Sequence, residues 1–283
     1  FSPRYPSQNV FALAPARTTP ARRRVALLAH VDSHRTPLIW RNRAFFRIYR
    51  VLSTLGTVSL VALAALFAVG VLAPGMAWLR PASLVPAGLI GLALLMGVQA
   101  HFTRYSAGAN DNASGVGLML GLAERLKNEP LADTEVAFVA TGCEEVGAAG
   151  AEHFARLHKS DVADTVCLIL DNVAGTHAGP CYLRSEGLLL PVAHAPVLLA
   201  LADRLAQDRP DLSAYSFSQQ GAYTDAMPPL NAGLPALSFV GYTRDGWIPD
   251  WHNPSDTFEN VNRDTLDRTG QFVWEMLQRI DGE

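Results

Sequence analysis

Apolar positions follow two rhythms along this chain. In the first, short β-rich runs end in polar clusters and alternate with stretches of helical spacing. Val25 to Ala29 runs into His30-Val31-Asp32, Val136 to Ala140 into Thr141-Gly142-Cys143-Glu144-Glu145, and Val166 to Leu170 into Asp171-Asn172. These predict buried strands at 24–30, 135–141 and 165–171, with further strands near 180–185, 213–217 and 236–240. Helices are expected at 113–128, 147–158, 192–207 and 263–280. Residues 1–23, which hold Pro3, Pro6, Pro15 and Pro20, read as irregular except for a short edge strand at Asn9 to Leu13. Strands alternating with helices predict an α/β fold: a three-layer sandwich around a central mixed, mostly parallel sheet.

The second rhythm interrupts the first. No charged residue lies between Arg50 and Arg80, or between Arg80 and Arg104. Each gap is long enough to cross a hydrocarbon core, which needs about 20 residues. The expectation is a transmembrane hairpin with helices at about 52–73 and 83–100, turned by Pro74, Gly75 and Pro81. Gly88, Gly91 and Gly97 permit close helix packing. A buried hairpin or hydrophobic lid of a soluble enzyme is the alternative; the absence of charge over two spans argues against it. The domain reading is therefore one α/β domain, 1–32 with 105–283, split by an insertion at 33–104. Arg35, Arg41, Arg43, Arg47 and Arg50 precede the first span and Arg104 follows the second, while the connection carries only Arg80. That bias predicts an integral membrane protein whose residues 52–100 meet the lipid bilayer and whose α/β domain faces the cytoplasm.

Composition narrows the function classes. The 283 residues are 49% hydrophobic and 17% charged, with a net charge of −3, so nothing favours nucleic-acid binding. Three cysteines show no C-x-x-C spacing and no even framework. Cys143 and Cys167 read as small buried core thiols. The chain opens on Phe1 rather than Met, and its natural N-terminus is expected to lie upstream.

Five residues of metal-ligand type, His30, Asp111, Glu145, Asp171 and His252, sit where apolar runs end. Open α/β sheets bind ligands beyond the carboxyl ends of their strands. Carboxylates crowded there repel and are costly to desolvate, and a pair of divalent ions would relieve both costs. Asp32 is placed to orient the His30 ring through its other nitrogen; a purely structural His–Asp pair explains that spacing as well. Asp111, within Asn110 to Gly115, could bridge two metals or simply cap a helix. Adjacent Glu144 and Glu145 leave the strand in different directions, so one can ligate while the other serves as general base. They precede Val146-Gly147-Ala148-Ala149-Gly150, which is too apolar for an ordinary solvated turn. Asp171 alone is also a common cap. His252 lies in a loop, Trp251 to Thr257. His34, His101, His153, His158, His177 and His194 lack such surroundings and read as solvent-facing or packing residues.

Taken in order, H-x-D, N-D-N-A-S-G, C-E-E-V-G, D-N and W-H-x-x-x-D-T resemble the M28 family of zinc metallopeptidases. The resemblance implies a zinc-aminopeptidase-like sandwich and two zinc ions, one held by His30, Asp111 and Asp171, the other by Asp111, Glu145 and His252. It implies Glu144 as the general base, Asp32 behind the first histidine, and hydrolysis of N-terminal peptide bonds. Tyr223 and Asp225 loosely match a substrate-binding segment, although Ala226 stands where the family often has His. Ser33 to Gly108 replaces what is a short loop in ordinary members. The expectation is a site close to the membrane acting on hydrophobic or membrane-proximal peptides. A single-zinc glutaminyl cyclase of the same fold is one competing reading. A catalytically inactive membrane scaffold is another; the complete ligand set and Glu144 argue against it.

Overall fold

Polar residues at the ends of buried strands set the frame of this molecule. The computed structural model describes residues 6–157 and 165–283. It separates into two compact units, Phe1–His34 with Ala107–Glu283, and Arg35–Ser106. The larger unit therefore reaches two residues beyond the expected first boundary and retains His34.

Among the described residues the strands are β1 (Val10–Ala14), β2 (Arg23–His30), β3 (Thr134–Thr141), β4 (Thr165–Asp171), β5 (Cys181–Glu186), β6 (Val192–Ala193), β7 (Tyr215–Ser218) and β8 (Ala236–Val240). The α-helices are α1 (Arg43–Leu72) and α2 (Leu79–His101) in the smaller unit. The larger unit has α3 (Gly115–Asn128), α4 (Ala149–Leu157), α5 (Pro196–Asp208), α6 (Met227–Asn231) and α7 (Arg263–Gly282). The sheet order is β1-β3-β2-β4-β8-β5-β6, with β7 beside β5. β2 runs parallel to β3 and β4, and β4 parallel to β8. β1 and β5 are antiparallel to their neighbours β3 and β8. The sheet is thus mixed, and Asn9 to Leu13 is an edge strand displaced by one residue.

β2 is buried on both faces, as a central parallel strand must be. Val25, Leu27 and Ala29 join the core beneath α3, α5 and α7, with Leu118, Leu205 and Phe272. Ala26 and Leu28 join a second core with Phe154 of α4 and Leu230 of α6. The chain leaves β2 for β3 on one side, then crosses to β4 on the other. That reversal opens a crevice at the carboxyl end of β2.

Several boundaries differ from expectation for local reasons. The helix expected from 192 starts at Pro196, because Val192 and Ala193 pair with β5 and proline suits a first helical turn. The helix expected from 113 starts at Gly115, because Asp111 and Asn112 have non-helical backbone angles. α4 starts at Ala149, after left-handed Cys143 and Ala148, and its expected end at 158 lies outside the described residues. Cys143 lies half-buried in that turn rather than in the core; Cys167 and Cys181 are buried. The irregular start expected for 1–23 falls partly on residues 1–5, also outside the described residues.

In the smaller unit α1 begins well before the expected residue 52. The Asn42 side chain accepts hydrogen bonds from the amides of Ala44 and Phe45 at 3.0 and 3.1 Å, capping the helix there. α2 likewise starts at Leu79, with Pro81 in its first turn. A β-carbon on Gly56 would sit 3.5 Å from that of Ala93, so the two helices approach closely at small residues. At the open end of the hairpin the Thr36 amide donates to Arg104 O at 2.9 Å, and the Arg35 guanidinium lies 4.5 Å from the Tyr105 ring centre. Val58, Val61, Phe67, Leu84, Val85 and Leu94 are exposed on these helices. Both helices are long and apolar enough to cross a membrane.

Gly115 joins the Asp111 turn to α3. A β-carbon there would collide with Asn112 Oδ1 and Leu170 O. Gly115→Ala is therefore expected to destabilise the fold by about 3 kcal/mol. Gly117→Ala, two residues along with open space around it, should instead stabilise by about 0.5 kcal/mol. Chemical unfolding of the two variants, followed by circular dichroism, checks the contrast.

Candidate active site

Three parallel strands deliver the site. His30 is the last residue of β2, Asp171 the last of β4, and Glu144 and Glu145 follow the end of β3. Asp111 comes from the turn before α3, and His252 from the loop beyond β8. The structure brings all of them into the crevice at β2. His30 Nε2 lies 3.3 Å from Asp111 Oδ1 and 3.4 Å from Asp171 Oδ1. His252 Nε2 lies 3.1 Å from Asp111 Oδ2 and 3.2 Å from Glu145 Oε2. Asp111 thus turns one oxygen to each cluster. Donors about 2.1 Å from a tetrahedral zinc stand about 3.4 Å apart, so both clusters have a spacing suited to an ion. Glu145 Oε1 is buried and makes no hydrogen bond to any described residue, as a ligand oxygen awaiting a cation would.

Four carboxylates face two imidazoles here, and the proton affinities register the imbalance. Burial alone would raise Asp111, but its bonds to His252 and His30 hold the carboxyl well below the usual range. Burial, then the Asp111 charge, pushes Glu145 up to about 7. Burial would weaken proton binding by His252, yet Glu145 and Asp111 overturn that and raise it to about 9. Glu144 is raised well above the ordinary value, first by burial and then by the charges of Asp225, Asp171 and Glu145 acting against that of His30. Bound cations would supply the positive charge that this pocket lacks.

The N-D-N-A-S turn is fastened by its asparagine and serine side chains to the end of β4 and the residues just past it. Asn112 donates to Leu170 O at 2.8 Å and accepts from the amides of Gly115 and Asn172. Asn110 Oδ1 accepts from the Ala174 amide at 2.9 Å, and Ser114 Oγ from the Val173 amide at 3.1 Å. Asp256 completes the cradle: it accepts from the Asn110 amide at 2.6 Å and the Asp111 amide at 3.2 Å. In the sequence Asp256 is only the acidic position of W-H-x-x-x-D-T, and nothing local to it signals this task. Cys143, Asn172 and His252 all have positive φ, at 60°, 55° and 51°. Such backbone costs about 1–2 kcal/mol per residue and persists where surroundings over-determine it.

Asp32 lies beside the His30 ring and also serves the neighbouring turn. Its carboxylate accepts from the Glu144 and Glu145 amides, both at 3.1 Å. His30 Nδ1 is nearer to the Asp32 main-chain oxygen, at 3.1 Å, than to the carboxylate, at 3.7 Å. Asp32 therefore positions the glutamate pair, and its backbone orients the ring. Asn9, beside the edge strand, steadies the same turn by accepting from the Gly142 amide and donating to Gly150 O.

Tyr223 is half-buried, with its hydroxyl near Gly147, and burial raises its proton affinity. Asp225 is buried against Thr141 rather than open to the crevice. The loop bearing both hangs from a buried polar group that the sequence did not announce. Glu186 accepts from the Thr224 amide and hydroxyl at 3.2 and 2.9 Å, and lies 3.5 Å from His194. His34 packs, as one of its two expected places allowed, but its partner is a residue of the site: its ring stacks on that of His252. Each of these depends on residues distant in sequence, so no local pattern signals it.

Comparisons with known proteins follow the same lines. The model of the family described as Peptidase family M28 matches residues 93–277. Aminopeptidase YwaD of Bacillus subtilis is 28% identical over 187 residues, covering 62% of this chain and 39% of its own length. A probable lipoprotein aminopeptidase, LpqL of Mycobacterium tuberculosis, is 26% identical over 191 residues, covering 59% of this chain and 38% of its own. The chain thus spans well under half the length of these relatives. Among solved structures, a zinc aminopeptidase from Bacillus subtilis superposes with a TM-score of 0.62 at 20% identity, covering 96% of this chain and 50% of that one. An Acidobacteriales glutaminyl cyclase gives 0.60 at 14% identity, covering 97% and 73%. Both share the fold.

Replacing Asp256 by Ala would strip the acceptors from two buried amides. Asp256→Ala is expected to lose about 1–3 kcal/mol of stability and to speed amide exchange across residues 108–114. Hydrogen–deuterium exchange read by mass spectrometry measures the second effect.

Proposed function

The chain belongs to peptidase family M28, and we propose that it is a membrane-anchored di-zinc aminopeptidase. The observation that carries the reading is the pair of donor clusters that share Asp111. In this reading His30, Asp111 and Asp171 hold one ion, and Asp111, Glu145 and His252 the other. Zinc at these positions would lower the pKa of water and polarise the scissile carbonyl. Glu144, raised by burial, accepts a proton from the attacking water and returns it to the leaving amine. Asp32 keeps Glu144 aimed by holding its amide. Tyr223 donates to the carbonyl oxygen, and Asp225 fixes the Tyr223 loop through Thr141. The likeness to aminopeptidases supports a substrate with a free amino terminus. Val31 and Val146, exposed next to ligand residues, favour apolar side chains beside it.

The exposed apolar helices of Arg35–Ser106 support insertion into a bilayer. The arginine bias assigns the peptidase unit to the cytoplasmic side. Short covalent links, Arg35 to Arg41 and Thr103 to Ser106, join the apolar helices to the ligand segments. On this reading peptides at the membrane surface are the natural substrates.

The purified chain is expected to bind two zinc ions and to hydrolyse leucyl-nitroanilide faster than aspartyl-nitroanilide. Absence of both metal and hydrolysis sinks the reading. Release of pyroglutamate from N-terminal glutamine peptides, with one zinc per chain, would favour the cyclase instead. Glu144→Gln should retain both ions while kcat falls about 10²–10⁴-fold, measured by elemental analysis beside steady-state kinetics. The chain should also resist alkaline carbonate extraction from membranes, whereas a variant with residues 35–106 replaced by a short linker should not.

A further inference from the structure

His34 stands next to the second donor cluster, and no role has been given to it above. Its imidazole stacks on that of His252, with ring centres 3.8 Å apart and planes 17° from parallel. Donor atoms of His34, Glu145 and His252 all lie within 4.8 Å of one another. His30, Asp111 and Asp171 satisfy the same condition. We propose that His34 is a sixth donor of the site, joining Glu145 and His252 around the second metal ion. The inference rests on the two-ion reading above and adds a residue to it.

The backbone explains why His34 is held there. Two residues earlier the Asp32 carboxylate accepts the amides of Glu144 and Glu145. One residue earlier Ser33 presses on the Asp111 turn. Gly108, with φ at 70°, admits that approach, since a β-carbon there would meet Ser33 Cβ at 3.0 Å and Asp111 O at 2.9 Å. The segment carrying His34 is therefore located against both Glu145 and Asp111 before its own ring makes any contact. Because the two rings lie face to face, the His34 ring has to turn out of the stack to aim a nitrogen lone pair at the ion that His252 holds, and its partial exposure leaves room for that turn.

The chemistry of a neutral imidazole differs from that of another carboxylate. It adds affinity without adding negative charge to a pocket already rich in carboxylates. It also shifts the preference of the second position toward zinc and cobalt and away from magnesium and manganese, which favour oxygen donors. The site then holds a second ion with three side chains besides the shared Asp111.

The test uses the full-length chain in detergent, stripped with a chelator and titrated with Zn²⁺ against a chromophoric competitor. His34→Phe keeps a ring to stack on His252 but removes both nitrogen donors; His34→Gln removes the ring. Both variants are expected to weaken the second ion by about 10–100-fold, leave the first unchanged, and alter the visible spectrum of the Co²⁺-loaded protein. His153→Ala, an exposed histidine on α4, should change nothing. If His34→Phe binds the second ion as tightly as the parent while His252→Ala loses it, His34 only stacks and the inference is overturned. If the parent binds a single ion and His252→Ala changes nothing, the two-ion reading itself fails and this inference with it.

Discussion

Like charges buried together dominate this molecule. Asp111, Glu144, Glu145 and Asp171 converge on one crevice, with His30 and His252 between them. Carboxylates so placed would separate or take up protons unless their backbones were pinned. Much of the surrounding structure serves that purpose. The asparagines of the N-D-N turn, Asp256 beneath it and Asp32 beside the glutamate pair all spend their hydrogen bonds on main-chain amides. The result is an electron-rich cavity whose carboxylates are held by the main chain around them and suit a cation.

The sheet explains why the charges meet. A parallel strand buried on both faces must be apolar along its length, so polar groups collect where it ends. Three such strands, β3, β2 and β4, end side by side, and the reversal of chain direction around β2 keeps their ends uncovered by helices. Antiparallel β1 protects the outer edge of β3 and brings Asn9 to the turn before Glu144 and Glu145. The fold thus separates two tasks: apolar strand bodies give stability, and their termini give chemistry.

The inserted segment leaves the larger unit within the ligand-bearing region itself. His34 is its last residue on one side, and Ala107 begins the return only four residues before Asp111. A chain interrupted there must hold both ends without help from a short loop. Asp32, Ser33 and Gly108 meet that need through amide bonds and close backbone approach. The insertion itself is closed by main-chain and cation–π contacts at its base and by small residues between its helices.

Much of this was legible in the sequence. Apolar runs of strand length located β2, β3, β4 and β8, because burial on both faces forces a continuous apolar stretch that composition cannot hide. Polar residues at their ends identified His30, Glu144, Glu145 and Asp171 as candidates, and charge-free spans marked α1 and α2. Helix starts were less legible: Asn42, Pro196 and the irregular Asp111–Asn112 backbone moved them by several residues, since caps act through hydrogen bonds that periodicity does not record. Asp256, His34 and the hold of Glu186 on Thr224 owe their positions to chain segments far apart in sequence. Asp32 gained partners for the same reason: besides the histidine two residues before it, its carboxylate accepts the Glu144 and Glu145 amides from a segment over a hundred residues away. Local pattern determined which residues are buried or polar; only the tertiary structure decided which of them face one another, because hydrogen bonds and charges act through space rather than along the chain.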